Sequence, residues 1–195
     1  MKKILISIKP KYVAEILSHR KTLEIRKSFP KCKLPCEVYI YCTKENAKHF
    51  IDNKIYNAMM RGKVVAKFTL NKVEEMARSQ FSIRWTKTLH ADELYERSRL
   101  TPTEMSNYLG VENGYAWHID NLVIFDKPKE LKEFKHPITF CPLLRDSNFV
   151  PSFCKDHCEH NKDPERLDVY CDRMEKDWKP LTKAPQSWCY CEVNE

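Results

Sequence analysis

Glycine is scarce in this chain: 3 among 195 residues, so few positions can take backbone conformations closed to side chains. No run of about 18 apolar residues occurs, which excludes an ordinary membrane-spanning helix. The opening, MKKILISIKPKY, holds only a five-residue apolar segment between lysines, too short for the core of a secretory leader. A cytoplasmic location is therefore expected. Internal repeats and low-complexity tracts are missing as well. The nine cysteines are odd in number and follow no leader, which argues against a disulfide framework.

What is present points to a folded domain. Apolar residues make up 42% and aromatics 11%, enough for one domain with a core of its own plus a small appendage. The formal charge of +7 is uneven along the chain. Residues 1–33 carry ten Lys or Arg against two acids, Glu15 and Glu24, while the rest carries 24 bases against 25 acids. A positive segment on a nearly neutral body suits a polyanion-binding surface, and a lysine-rich solvated face is the alternative.

Periodicity predicts strands at ILISI (4–8), TLEIRK (22–27), CEVYIYCT (36–43) and KVVAKFTLNKV (63–73). Pro10 opens a short helix with Val13, Ile16 and Leu17 on one side. A helix is expected over 44–61 between Thr43 and Gly62, and loop and helix fragments over 76–100. TPTE marks a capping box at Thr101 and Glu104, with Gly110 ending the helix. YAWHIDNLVIF reads as a strand pair or a bulged strand, and Pro128 as the end of the ordered pattern. Strands broken by short helices, without regular crossovers, indicate an α+β domain on a small curled sheet or barrel. The expected division is a domain over 1–140, a cysteine-rich lobe over 141–184, and a closing segment, 185–195, adding an edge strand.

One strand is unusual. Alternation puts Thr22, Glu24 and Arg26 on one face, with Lys21 at the helix-to-strand junction. A carboxylate between two cations keeps its charge and can accept hydrogen bonds or act as a positioned base; the alternative is a solvated edge strand. Tyr115 and Trp117 share a strand face and could stack on a base or fill the core, and His118 reads as a hydrogen-bonded structural residue. Cys141, Cys154, Cys158 and Cys171, with His157 and His160 among them, suit a closed structural zinc site in which His160 could replace Cys141. Free buried thiols are the alternative, and a redox role is the third. No H-x-E pair accompanies these cysteines, so an open catalytic metal site is not expected.

The segment ILSHRKTLEIRK after SIKPKY resembles the ASCH domain of the PUA-like superfamily, whose signature is G-x-K-x-x-E-x-R. Lys21, Glu24 and Arg26 match it, and His19 stands in the glycine position. GYAWHIDNLVIFDKP and APQSWCYCE resemble later strands of prophage and phage ASCH proteins. The resemblance implies a small β-barrel with peripheral short helices and a cleft beside the signature strand that binds RNA. It also implies an amidohydrolase of N4-acetylcytidine, since some ASCH enzymes place a Lys and a Thr on this strand. Lys21 matches that Lys, but Glu24 occupies the Thr position.

The leading expectation is a nucleic-acid-binding module, for RNA above all, using Lys9, Lys21, Thr22, Glu24, Arg26, Tyr115 and Trp117. The second is a hydrolase of a modified nucleoside or RNA with Lys21 and Glu24 as catalytic residues. The third is a phage accessory protein that binds a host protein.

Overall fold

The computed structural model describes residues 1–44, 60–78, 84–140 and 175–193. Its central strand is β1 (Lys3–Ile8), in which Ile4 to Ile8 are all buried because both sheet faces are covered. β1 pairs in parallel with β3 (Cys36–Cys42) and antiparallel with β11 (Trp188–Val193). Between β1 and β3 the chain forms α1 (Pro10–Leu17), which buries Pro10, Val13 and Ile16, and β2 (Leu23–Arg26), which belongs to a different sheet.

The predicted strand over 63–73 is two strands in two sheets. β4 (Lys63–Leu70) pairs with β3, and after Asn71 and Lys72 the chain enters β5 (Val73–Arg78), which pairs with β7 (Gly114–His118). The reverse crossing occurs at Ile119, between β7 and β8 (Asp120–Glu130). Among the described residues, with β9 at Phe134–Phe140 and β10 at Glu175–Pro180, these crossings generate a seven-stranded sheet, ordered β10-β9-β11-β1-β3-β4-β8, and a four-stranded sheet, β2-β7-β5-β6. β6 is the pair Arg84–Trp85. The crossings are hydrogen-bonded to each other's surroundings: the His118 amide donates to the Lys72 carbonyl and the Ile119 amide to the Thr22 carbonyl, each at 3.0 Å.

Residues 76–100, expected as fragments, supply the end of β5, then β6 and α2 (Ala91–Ser98). α3 (Pro102–Leu109) begins at the capping box, with both reciprocal hydrogen bonds between Thr101 and Glu104 present. The small sheet is thereby buried on both faces. Leu23, Ile25, Met76 and Ala116 pack with Leu94, Met105 and Leu109 of the helices, while Trp117 joins Ile4, Ile6, Val38, Ile40 and Phe68 in the core between the sheets. β2 is an edge strand, yet all four of its residues are buried, which removes the reading of a solvated strand.

Pro128 does not end the pattern. β8 continues to Glu130, since it is the last strand of its sheet and its register with β4 breaks around this proline, where a missing amide does little harm. The closing segment is not at an edge either: β11 lies between β9 (Phe134–Phe140) and β1. β10 (Glu175–Pro180), within the span assigned to the lobe, pairs with β9 and so belongs to the large sheet. Most of the helix expected over 44–61 and residues 141–174 of the lobe lie outside the described residues. Among the described residues no helix is long and apolar enough to cross a membrane.

His19 has φ 59°, the left-handed conformation that the glycine of the signature would take. Its amide donates to the Ile16 carbonyl at 2.8 Å, while those of Arg20 and Lys21 converge on the Glu15 carbonyl at 3.0 and 2.9 Å. The turn therefore keeps its shape without glycine, against a cost of about 1–2 kcal/mol for a side chain in this region. Glycine also loses more chain entropy on folding. His19→Gly is expected to raise stability by about 0.5–1 kcal/mol and His19→Val to lower it, as measured by urea unfolding.

Candidate functional site

Register decides what β2 faces. Glu24 lies opposite Trp117 and Arg26 opposite Tyr115, so these four share the sheet face that looks into the core between the sheets. Lys21, Glu24 and Arg26 are 2%, 6% and 7% exposed. Lys21 Nζ lies 3.2 Å from Glu24 Oε2, and Arg26 Nη2 lies 3.0 Å from Glu24 Oε1. Each carboxylate oxygen thus meets one cation.

The cations are themselves anchored by distant chain segments. Lys21 Nζ donates to the Ser98 carbonyl at the end of α2 at 2.6 Å and lies 5.3 Å from the centre of the Tyr12 ring. Arg26 Nη2 donates to the Ser7 carbonyl at 2.7 Å, and Nη1 to Ser187 Oγ at 3.4 Å. Burial pushes the Lys21 amine below the usual lysine range, against the opposing pull of Glu24. Two buried donors near the cluster, Arg26 Nε and Trp117 Nε1, have no hydrogen-bond partner among the described residues.

Aromatic rings continue the site towards the surface. Trp188 packs edge-on against Trp117 with ring centres 5.9 Å apart, and its Nε1 donates to Ser28 Oγ at 3.1 Å. Phe29, an exposed residue, packs against Tyr115 at 4.7 Å. Trp117 is fully buried and takes the core role, so of the two aromatics expected to stack on a base only Tyr115 is partly exposed.

Three further expectations meet a different geometry. Thr22 precedes the strand, and its hydroxyl accepts from Arg97 Nε at 3.1 Å, so it faces α2 and not Glu24. Lys9 is exposed at the start of α1. The basic segment is also less positive in space than along the chain, because Lys11 pairs with Glu104 at 2.7 Å, Arg20 with Glu15 at 2.9 Å and Lys27 with Glu112 at 3.0 Å. Cys141, Cys154, Cys158, Cys171, His157 and His160 lie outside the described residues. Among the described residues no three of His, Cys, Asp and Glu gather in a way that could hold a metal ion.

A second buried carboxylate escapes sequence reasoning, since VEEMAR gives no sign that its first acid turns inward. Glu74, on the opposite face of the small sheet, accepts from the Thr86 and Thr88 hydroxyls, meets Lys72 Nζ at 2.8 Å, and shares a hydrogen bond of 2.7 Å with His118 Nε2. His118 is therefore hydrogen-bonded, as expected. Burial alone would raise the Glu74 carboxyl, but hydrogen bonds from Lys72, Thr86, Thr88 and His118 outweigh it and hold it at about 2. The cluster ties the segment after β6 to β5 and β7.

A folded-state value below the ordinary 4.5 means that Glu74 contributes stability that is complete above that pH and is lost as pH falls towards about 2. At about 1.4 kcal/mol per pH unit the fall from 4.5 to about 2 corresponds to a contribution on the order of 3 kcal/mol. Glu74→Gln is expected to lower stability at neutral pH by about that amount and to flatten the acid decline in the urea midpoint. The decline that remains belongs partly to Glu104, which hydrogen bonds from Lys11 and Thr101 also hold at about 2.

No protein-family model matches the chain, and neither does any curated protein. Among solved structures it is similar to ASCH from Zymomonas mobilis, with 20% identity, 77% of this chain and 82% of that one covered, and a TM-score of 0.43. A tyrosine-to-phenylalanine variant of the Zymomonas mobilis protein matches at 19% identity over 77% of this chain and 86% of that one, with a TM-score of 0.40. A serine-to-alanine variant matches at 16% over 97% and 87%, with a TM-score of 0.44. The architecture described above, α+β with two joined sheets and short helices at their ends, is of the class that the K-x-x-E-x-R resemblance implies.

Proposed function

We propose that the chain is an ASCH-type module that binds single-stranded nucleic acid, RNA above all, holding one nucleotide beside the strand of Lys21, Glu24 and Arg26. The observation that supports this reading is the burial of three charges, Glu24 and Arg26 on one short strand and Lys21 just before it. Such a cluster is a poor device for stability, because desolvation offsets most of the attraction and an apolar strand of equal volume folds as well or better. Its use lies in recognition. Glu24 retains lone pairs for a base N–H, and Arg26 Nε, which has no hydrogen-bond partner among the described residues, is a donor suited to a base carbonyl or ring nitrogen. Tyr115 and Phe29 offer ring surface at the rim, where stacking contributes roughly 1–3 kcal/mol per base.

Phosphate contacts fall to exposed lysines near that rim. Lys31 and Lys33 are exposed on the loop that carries Phe29 and make no ion pair among the described residues. Lys21 and Arg26 are unsuitable as probes of phosphate binding, since removing one partner of a buried ion pair costs about 3–5 kcal/mol of stability. Each phosphate contact on a single strand contributes about 0.7 to the slope of log affinity against log salt. The double substitution Lys31→Glu, Lys33→Glu is expected to reduce that slope by about 1.4 for a short single-stranded RNA, whereas Lys127→Glu with Lys132→Glu, in β8 and in the turn after it, leaves it unchanged. Equal slopes in both variants would remove the rim assignment.

One observation favours the hydrolase reading: a lysine amine that burial has pushed down, in contact with a carboxylate, is the kind of pair that can move a proton. On this reading the wild-type protein deacetylates N4-acetylcytidine, and Glu24→Gln loses roughly 10²- to 10⁴-fold in turnover with binding largely kept. On the binding reading the same substitution shifts affinity or base preference and there is no turnover to lose. Product analysis by mass, beside direct binding measurements on short RNAs, separates the two.

A further inference from the structure

Trp85, on the outermost described strand of the small sheet, is 39% exposed, although an indole in water forgoes one of the largest apolar burials a side chain can make. Register fixes the face on which it stands. Trp85 lies opposite Ala77 of β5, and Tyr115 of β7 lies opposite both Glu75 of β5 and Arg26 of β2. Residues two apart along a strand share a face, so Trp85, Ala77, Glu75 and Tyr115 stand on the face that carries Arg26 and Glu24. The order β2-β7-β5-β6 makes β5 a floor between two aromatic walls, Tyr115 on one side and Trp85 on the other. Phe29 braces the first wall at 4.7 Å. Val73, packed on the core, closes the inner end of the floor, while Glu75 and Ala77 further out are exposed.

We infer that this slot takes the next two nucleotides of a bound single strand, their bases stacked on each other between Tyr115 and Trp85, which rests on the nucleic-acid reading above and extends it from one nucleotide to three. The spacing suits that occupant. Neighbouring strands lie about 4.8 Å apart and side chains stand roughly perpendicular to the sheet, so walls on β7 and β6 are separated by about 9.6 Å. Stacked bases repeat every 3.4 Å or so, and two of them between two rings need three such steps, about 10 Å. A single base would leave one wall uncovered, and Ala77 has no side chain long enough to fill the gap.

The floor selects among bases. Asn113 Nδ2 donates to Glu75 Oε1 at 3.3 Å, which leaves Oε2 as an acceptor without a partner among the described residues. A carboxylate there accepts from the amino group of cytosine, adenine or guanine and repels the carbonyl oxygen that uracil presents in the place of the cytosine amine. The same charge keeps phosphates off the floor and leaves the backbone to Lys31 and Lys33, exposed on the loop that carries Phe29.

The test measures binding of the full chain to cytidine and uridine tetranucleotides and to cytidine monophosphate by calorimetry. Trp85→Ala is expected to weaken the cytidine tetranucleotide by roughly 5- to 100-fold, the loss of stacking on one ring. Its salt slope stays unchanged because no phosphate contact is removed, and Trp85→Phe keeps most of the affinity. The monophosphate, held at the charged strand, binds equally to all three proteins. The wild type is expected to prefer the cytidine over the uridine tetranucleotide, and Glu75→Gln to bring the two together. Ultraviolet crosslinking of the cytidine tetranucleotide to the wild type is expected to mark the tryptic peptide 85–87, released by cleavage after Arg84 and Lys87. No binding of either tetranucleotide overturns the nucleic-acid reading and the slot with it. Binding that Trp85→Ala leaves unchanged, or an equal loss for the monophosphate, overturns the slot alone. Equal wild-type affinity for the two tetranucleotides overturns the role of Glu75. Crosslinks confined to other peptides overturn the placement even if Trp85→Ala does not fold.

Discussion

A carboxylate removed from water must be met by positive charge, and in this protein Glu24 imposes that demand on three separate parts of the chain. Lys21 reaches it because the left-handed residue His19 ends α1 sharply and turns the chain into β2. Arg26 reaches it from two positions further along the strand, held in place by the Ser7 carbonyl of β1 and the Ser187 hydroxyl before β11. The Ser98 carbonyl completes the coordination of Lys21 from α2. The two sheets, the first helix and the closing segment are therefore joined through the surroundings of one side chain.

The same arrangement shapes what the site can recognise. A buried cluster of two cations and one anion retains positive charge overall, but its polar atoms are an acceptor at Glu24 and a donor at Arg26 rather than a row of lysines. In the proposed function this cluster would meet the polar edge of a small planar group. In the proposed function, phosphate contacts fall instead to exposed lysines on the loop. Basic residues that are close in sequence are thus unlike in environment: Lys21 and Arg26 are almost wholly buried, Lys31 and Lys33 exposed.

The loop 27–35 joins the two environments. It begins at the end of the charged strand, supplies Phe29 and Ser28 to the aromatic group around Tyr115 and Trp188, and ends at Cys36 in the core.

Much of the local structure was legible in the sequence because it depends on neighbours along the chain. The helix opened by Pro10, the capping box at Thr101 and Glu104, and the alternation in CEVYIYC follow from local geometry, as does the placement of Glu24 and Arg26 on one face. The sequence alone could not say which sheet a strand joins: residues 63–73 read as one strand, and only packing shows that the chain changes sheets at Asn71 and Lys72. Nor could it reveal that β2 is covered on both faces, since burial of an edge strand depends on helices some 70 residues later. The partners of the charged residues were hidden for the same reason. Alternation assigns a side chain to a face, but tertiary folding decides what meets it there, which is why Thr22 turned out to serve Arg97 and Trp117 to fill the core.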